Sequence, residues 1–372
     1  MCLNHNQLAF FALVKAGLWE QNVRLSHFND LDFGEVLRLA EEQSVVGLVA
    51  AGLEHVEDIK VPKEDALQFI GETLQLEQRN QSMNEFVARL IERLREVDIF
   101  ALLVKGQGIA QCYERPLWRT CGDVDLLLSV ENYEKAKKEL IPLATNIKRE
   151  DTHFKHQALT IGDWEVELHG TLHTRLSKRV DRVVDLVQDD IFNGGSVRSW
   201  QNGNTRVYLP SPDNDVIFVF THILQHFFFE GVGLRQICDW CRLLWTNRES
   251  LDHKLLESRI RKMGLMSEWR SFAALAVEYL GISKEAMPLY SDNTKWRRKA
   301  ERVCYDVIKV GNFGHNRGQT IGLKQPYLIR KFLSFWTHLG FALRHFPIFP
   351  KDSVVFFGGV LRSGLSAVVR GE

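Results

Sequence analysis

The hydrophobic period changes twice along the chain, and that change limits the architecture more than any single motif. From "FNDLDFGEVLRLAEEQ" through "VVGLVAAGLEHV" to "PKEDALQFIGETLQLEQRNQSMNEFVARLIERLREVD", apolar residues recur at helical spacing. In the last segment Leu67, Ile70 and Leu74, then Met83, Val87, Leu90 and Leu94, trace one face. From about residue 98 the texture shortens to apolar runs bounded by Gly and charge: "IFALLVKG", "GDVDLLLS", "HQALTI", "WEVELHG" and "TRVYLP". These predict strands, with a helix over "VENYEKAKKELIPLA" between two of them. After "LPSPDND" the helical period returns, with Asp213 as the expected N-cap, and runs to about residue 345. The expected fold class is α+β: a small mixed-sheet module over 98–210, between an N-terminal helical region over 1–97 and a C-terminal helical region over 211–372.

Composition narrows the partners. Lys plus Arg equals Asp plus Glu at 47 each, so no overall field draws a polyanion, and nucleic acid is a less favoured partner than a small molecule or protein. The six cysteines are dispersed, and "MCLNHNQLAFFALVKAG" lacks a basic start and a small-residue cleavage site. A cytoplasmic location with reduced thiols is expected. No apolar run approaches the roughly 18 residues that span a bilayer.

Two aspartates interrupt the apolar run "GDVDLLLS". Alternate strand residues face the same way, so Asp123 and Asp125 share one face while Val124, Leu126 and Leu128 pack the other. Like charges this close raise each other's pKa unless a cation lies between them, and a hard divalent ion with oxygen ligands fits that need. Mg2+ is the expected cofactor. "WEVELHG" repeats the pattern, with Glu165, Glu167 and His169 on one face. If this strand lies beside the first, a third carboxylate completes a site for two Mg2+ ions, with Mn2+ as an alternative. The bland reading leaves the aspartates on the solvated face of an edge strand.

Just before them, "LLVKGQGIAQCY" runs a buried strand into Gly106 and Gly108 and then a helix, the sequence of a phosphate-binding turn. Lys105, Gln107 and Arg119 are polar groups near its mouth.

Taken in order, "LLVKGQGIAQCYERPLWRTCGDVDLLLS" and "VELHG" resemble the uncharacterised nucleotidyltransferase family of the polymerase beta superfamily, over roughly residues 75 to 245. The resemblance implies a metal-dependent nucleotidyltransferase acting on a nucleoside triphosphate such as ATP. It implies Gly106 in the nucleotide turn, Asp123 and Asp125 as metal ligands and Glu167 as the third, catalytic carboxylate. The family's helical "H…G-x-R…D" pattern is met by His222, Gly233, Arg235 and Asp239, which it places on the acceptor side of the cleft. His169 either orients the carboxylates, touches substrate or is simply satisfied within a half-buried strand, and His156 carries the same ambiguity. One departure is plain: Lys105-Gly106-Gln107 stands where many superfamily members carry Gly-Ser or Gly-Gly.

Two other signals compete. His222 with His226, and Cys238 with Cys241, offer four zinc ligands at helical spacing, but such pairs are commonly packing, and zinc is not expected. The Phe-rich tail from "YLIRKFLSFW" onward reads either as a membrane-surface segment or as helix covering the core, with the second favoured. The competing functional class is an inactive nucleotide-binding or interaction protein, membrane-associated through that tail.

Overall fold

Seven strands form one mixed sheet, in the order β3-β4-β5-β2-β1-β7-β6. They are β1 (Ala101–Val104), β2 (Asp123–Leu128), β3 (Asn146–Ile147), β4 (His156–Ile161), β5 (Trp164–His169), β6 (Val197–Asn202) and β7 (Thr205–Pro210). The structure, a computed structural model, describes residues 3–312 and 327–369. Four helices precede the sheet: α1 (His5–Trp19), α2 (Phe33–Glu42), α3 (Val46–Glu54) and α4 (Lys63–Glu96). Within it lie α5 (Gly106–Ala110), α6 (Val130–Leu140) and α7 (Lys178–Phe192). After it come α8 (Pro212–Phe229), α9 (Leu234–Thr246), α10 (His253–Met263), α11 (Met266–Leu280), α12 (Thr294–Val310), α13 (Tyr327–His345) and α14 (Pro350–Val369). The class is α+β.

The apolar runs of the sequence locate five strands. The two they miss are the sheet's edges: β3 has only two residues, and β6, "VRSWQN", is polar because an edge strand keeps one side in water. The expected cap of α8 is corrected. Pro212 takes the first helical position, where its missing N–H costs nothing, so Ser211 is the N-cap and Asp213 falls in the first turn.

Strand alternation divides the interior. Leu102 and Val104 of β1 join a large core with α1 to α3 and α8 to α12, while Ala101 and Leu103 join a second core with α4, α6, β2 and β5. The long α4 passes between them. Met83, Val87, Leu90 and Leu94 are buried in the second core, but Phe69 turns into the first. The helix therefore changes its contacting face midway, and Leu67, Ile70 and Leu74, read from sequence as part of one stripe, are exposed.

In the tail, part of which lies outside the described residues, Phe341, His345, Ile348, Phe349 and Phe356 are buried. Phe349 and Phe356 make ring contacts with Phe228 of α8. Among the described residues no helix is long and apolar enough to cross a membrane.

Candidate active site

Strand register builds the site. β2 and β5 are parallel neighbours that set Asp123 beside Glu165, Asp125 beside Glu167 and Leu127 beside His169. On the other flank β1 runs antiparallel to β2 with Val104 opposite Asp125, so Lys105, one residue past the strand, reaches the same point. Ligand oxygens of Asp123, Asp125 and Glu167 lie within 4.8 Å of one another. Val124, Val166 and Leu168 are buried behind them and hold both strands rigid. Glu165 shares the face but is held by Lys148, outside the cluster.

The two aspartates are not equivalent. Asp125, 1% exposed, receives the Lys105 ammonium at 2.7 Å and the His169 Nε2 at 2.7 Å. The charge of Asp125, joined by burial, pushes the Asp123 carboxyl above its ordinary range, and the cations of Lys105 and Arg235 offset this only in part. Burial would raise Glu167 as well, but the His156 hydrogen bond and the nearby His169 imidazole, together with the Lys105 charge, pull it well below the carboxylate range. His156 Nε2 lies 3.1 Å and His169 Nε2 3.6 Å from Glu167 Oε2. Burial alone would lower Lys105, yet the fields of Asp125, Glu167 and Asp123 raise it, so it is a fixed cation at neutral pH.

The turn after β1 departs from ordinary backbone. Lys105 and Gly106 both have positive φ, +57° and +44°, and a side chain at Gly106 would sit 3.3 Å from Cys121 Sγ and 3.5 Å from the Asp123 carbonyl oxygen. The turn is thus laid against the strand that carries the carboxylates. The helix expected after it is α5, only five residues long, so the amides of the turn rather than a long helix dipole are what it can offer an anion.

From α8, His222 Nε2 approaches Lys105 Nζ at 3.3 Å and His226 Nε2 at 3.1 Å, and His226 Nδ1 meets Glu230 Oε2 at 2.8 Å. Burial first, then the nearby positive charge of Lys105, holds His222 well below its ordinary pKa, so it is neutral. Glu230 and His226 are absent from the sequence-derived substrate set. Their signal is visible in retrospect as the spacing His222, His226, Glu230 along one helical face.

Other expected site residues sit deeper. Arg119 and Asp239 form a buried two-pronged pair, Nε to Oδ1 at 3.0 Å and Nη2 to Oδ2 at 2.6 Å, with the Tyr113 hydroxyl donating to Oδ1 at 2.8 Å. Gln107 is buried and donates to Asn80 Oδ1 of α4 at 2.8 Å. These three side chains are buried in contacts with the protein itself. Arg235 is half-buried, donates to the Thr120 carbonyl at 3.0 Å and lies near enough to Asp123 to oppose the rise in its pKa. Asn80, which also donates to the carbonyls of Leu117 and Arg119, carried no sequence signal because it reads as helix surface.

Among the described residues, two groups are spaced to hold an ion: Asp123 with Asp125 and Glu167, and His156 with Glu167 and His169. Cys238 and Cys241 are buried thiols of α9 in the large core.

A family model described as an uncharacterised nucleotidyltransferase matches residues 29–281, a wider span than the motifs alone marked. Comparison with curated proteins finds no match. Among solved structures, an antigenic nucleotidyltransferase-like protein from Paracoccidioides brasiliensis is similar at 15% identity over 50% of this chain and 90% of that chain, with a TM-score of 0.31.

Proposed function

The chain belongs to the uncharacterised nucleotidyltransferase family, and from that premise we propose that it transfers a nucleoside monophosphate from a nucleoside triphosphate to an acceptor hydroxyl on a small molecule or protein, releasing pyrophosphate. One observation carries the proposal: three carboxylates from two adjacent strands converge within 4.8 Å, and one of them, Asp123, is left short of positive charge. Such a donor set of hard oxygens fits Mg2+ or Mn2+. When bound there, divalent ions supply charge neutralisation for the triphosphate and lower the pKa of the attacking hydroxyl.

The protein's own residues have separate tasks. Asp123, Asp125 and Glu167 would hold the ions, because their backbones are fixed by the sheet. Lys105 stands beside Asp125 as a permanent cation, placed to meet phosphate oxygens once its carboxylate partner is shared. The Gly106 turn brings backbone amides to the same edge, and Arg235 with His222 borders the side where an acceptor would enter. Arg119, Asp239 and Gln107 act through position, by fixing the turn and the start of β2 against α4 and α9. The chemistry asked of these groups is mainly orientation and charge stabilisation.

The test is to incubate tag-free protein with each α-labelled triphosphate, Mg2+ and cell extract, and to identify what becomes labelled. Label in one acceptor, dependent on Mg2+ and lost in Asp123→Asn, is the expected result. Triphosphate binding with no pyrophosphate released under any condition would replace transfer by a binding role.

A further inference from the structure

Beside the oxygen cluster stands a second set of donors of different chemistry. His156 of β4 and His169 of β5 are direct register partners in the antiparallel pair, and Glu167 lies two residues before His169 on the same face. Three strand residues on rigid backbone thus bring one ligand atom each of His156, Glu167 and His169 within 4.8 Å of one another. Two ligands about 2.0–2.1 Å from a shared tetrahedral ion stand about 3.3 Å apart. The observed separations from Glu167 Oε2, 3.1 Å to His156 and 3.6 Å to His169, bracket that value. The side chains are partly open, 34% for His156, 21% for Glu167 and 16% for His169, so an ion has a route in.

We propose that His156, Glu167 and His169 form a separate site for a divalent transition-metal ion of the Zn2+ or Co2+ class, joined to the Asp123–Asp125–Glu167 site through their common ligand Glu167. Two imidazoles and one carboxylate favour borderline metals over Mg2+, which prefers an all-oxygen shell. The consequence is an asymmetric ion pair: one hard position against β2 and one softer position against β4. Two ions that share a ligand in this manner commonly sit about 3.5–4 Å apart. The proposal rests on Glu167 being a metal ligand in the functional reading above, but not on transfer taking place. Imidazoles that only hydrogen-bond carboxylates, His156 to Glu167 at 3.1 Å and His169 to Asp125 at 2.7 Å, are the alternative, and the two differ in metal affinity.

The experiment is a Co2+ titration of chelator-stripped, tag-free protein, followed by visible absorption, on wild type, His156→Gln and Asp123→Asn. Wild type should bind one Co2+ with a ligand-field band that excess Mg2+ does not remove and Zn2+ displaces one for one. His156→Gln should weaken Co2+ binding by about tenfold or more, since even changes behind a metal ligand cost about 10–100-fold. Asp123→Asn should keep the band. The proposal is overturned if wild type binds no Co2+, if excess Mg2+ removes it, or if His156→Gln leaves affinity and spectrum unchanged. Loss of the band in Asp123→Asn but not in His156→Gln would place Co2+ among the aspartates and overturn it as well. The competition by Mg2+ needs no variant, so wild type alone overturns the proposal if excess Mg2+ removes the Co2+, even where a substitution unfolds the chain. An intact Co2+ site in protein that transfers no nucleotide would count against the functional proposal alone.

Discussion

Two clusters of buried charge, one joining the sheet module to α9 and one within the sheet, are built on opposite principles. Arg119, Asp239 and Tyr113 make a closed set: one cation and one anion joined by two hydrogen bonds, with a hydroxyl supplying a third. Asp123, Asp125 and Glu167 make an open set, in which three carboxylates share Lys105 and two histidines and Asp123 stays short of compensation. A closed set has its charges compensated within the folded chain, although Arg119 Nη1 is buried without a hydrogen-bond partner, and it acts through structure. An open set is most stable when something else joins it, and that is what separates a ligand site from a structural ion pair.

The largest effect should come from breaking the closed set. Asp239→Ala leaves the Arg119 guanidinium buried without its anion, and the expected loss is about 3–5 kcal/mol of unfolding free energy, read by urea denaturation. A loss below about 1 kcal/mol would mean that the pair is not the structural element described here.

Next comes the turn that joins the clusters. Gly106→Val forces a β-branched residue into positive φ and pushes its Cβ towards Cys121 and the Asp123 carbonyl, at an expected cost of about 1–3 kcal/mol. It should weaken triphosphate binding by more than this strain explains, because amide approach is blocked as well. Unchanged triphosphate affinity in the folded variant would remove the turn from the site.

A smaller effect separates the clusters by pH. Asp123 has a raised pKa when folded, so its contribution is complete below its ordinary value of 3.8 and lost as pH rises through the folded value. Asp123→Asn, which cannot lose it, should therefore gain on wild-type stability as pH rises from about 4 to 8, by an amount within about 1 kcal/mol. In the closed set burial, followed by the Asp239 charge, raises Tyr113 well above 10.0, so its contribution is complete below pH 10 and lost only in alkali. Tyr113→Phe should show a flat difference over the same range. Paired thermal melts across pH, without added metal, read both.

How much of this the sequence disclosed follows from the range of the interactions. Strand alternation is local, so "GDVDLLLS" and "WEVELHG" already put the carboxylates on matching faces. What alternation cannot rank is Asp123 against Asp125. Their inequality arises because the β1 register brings Lys105, and the β5 register His169, into direct contact with Asp125 and not with Asp123. Arg119 was legible as a polar group near the turn and Asp239 through the family's helical pattern, but their pairing across 120 positions of sequence was not. The exposed half of α4 has the same origin: periodicity marks an apolar face, and only the two cores reveal that the helix changes neighbours between Phe69 and Met83. The shared core also joins all three stretches of the chain, so the change of period marks a change of element type and not a break in packing.

The claim that the open set awaits a divalent ion and a triphosphate is tested most directly by thermal melts of wild type and Asp123→Asn with and without Mg2+ and triphosphate. At a ligand concentration about 100 times Kd, wild type should gain about 2.7 kcal/mol, and only when both are present. Asp123→Asn should match or exceed wild type without ligand and gain nothing with it. Equal gains in the two proteins would contradict the account, because they would show that Asp123 takes no part in holding the ion.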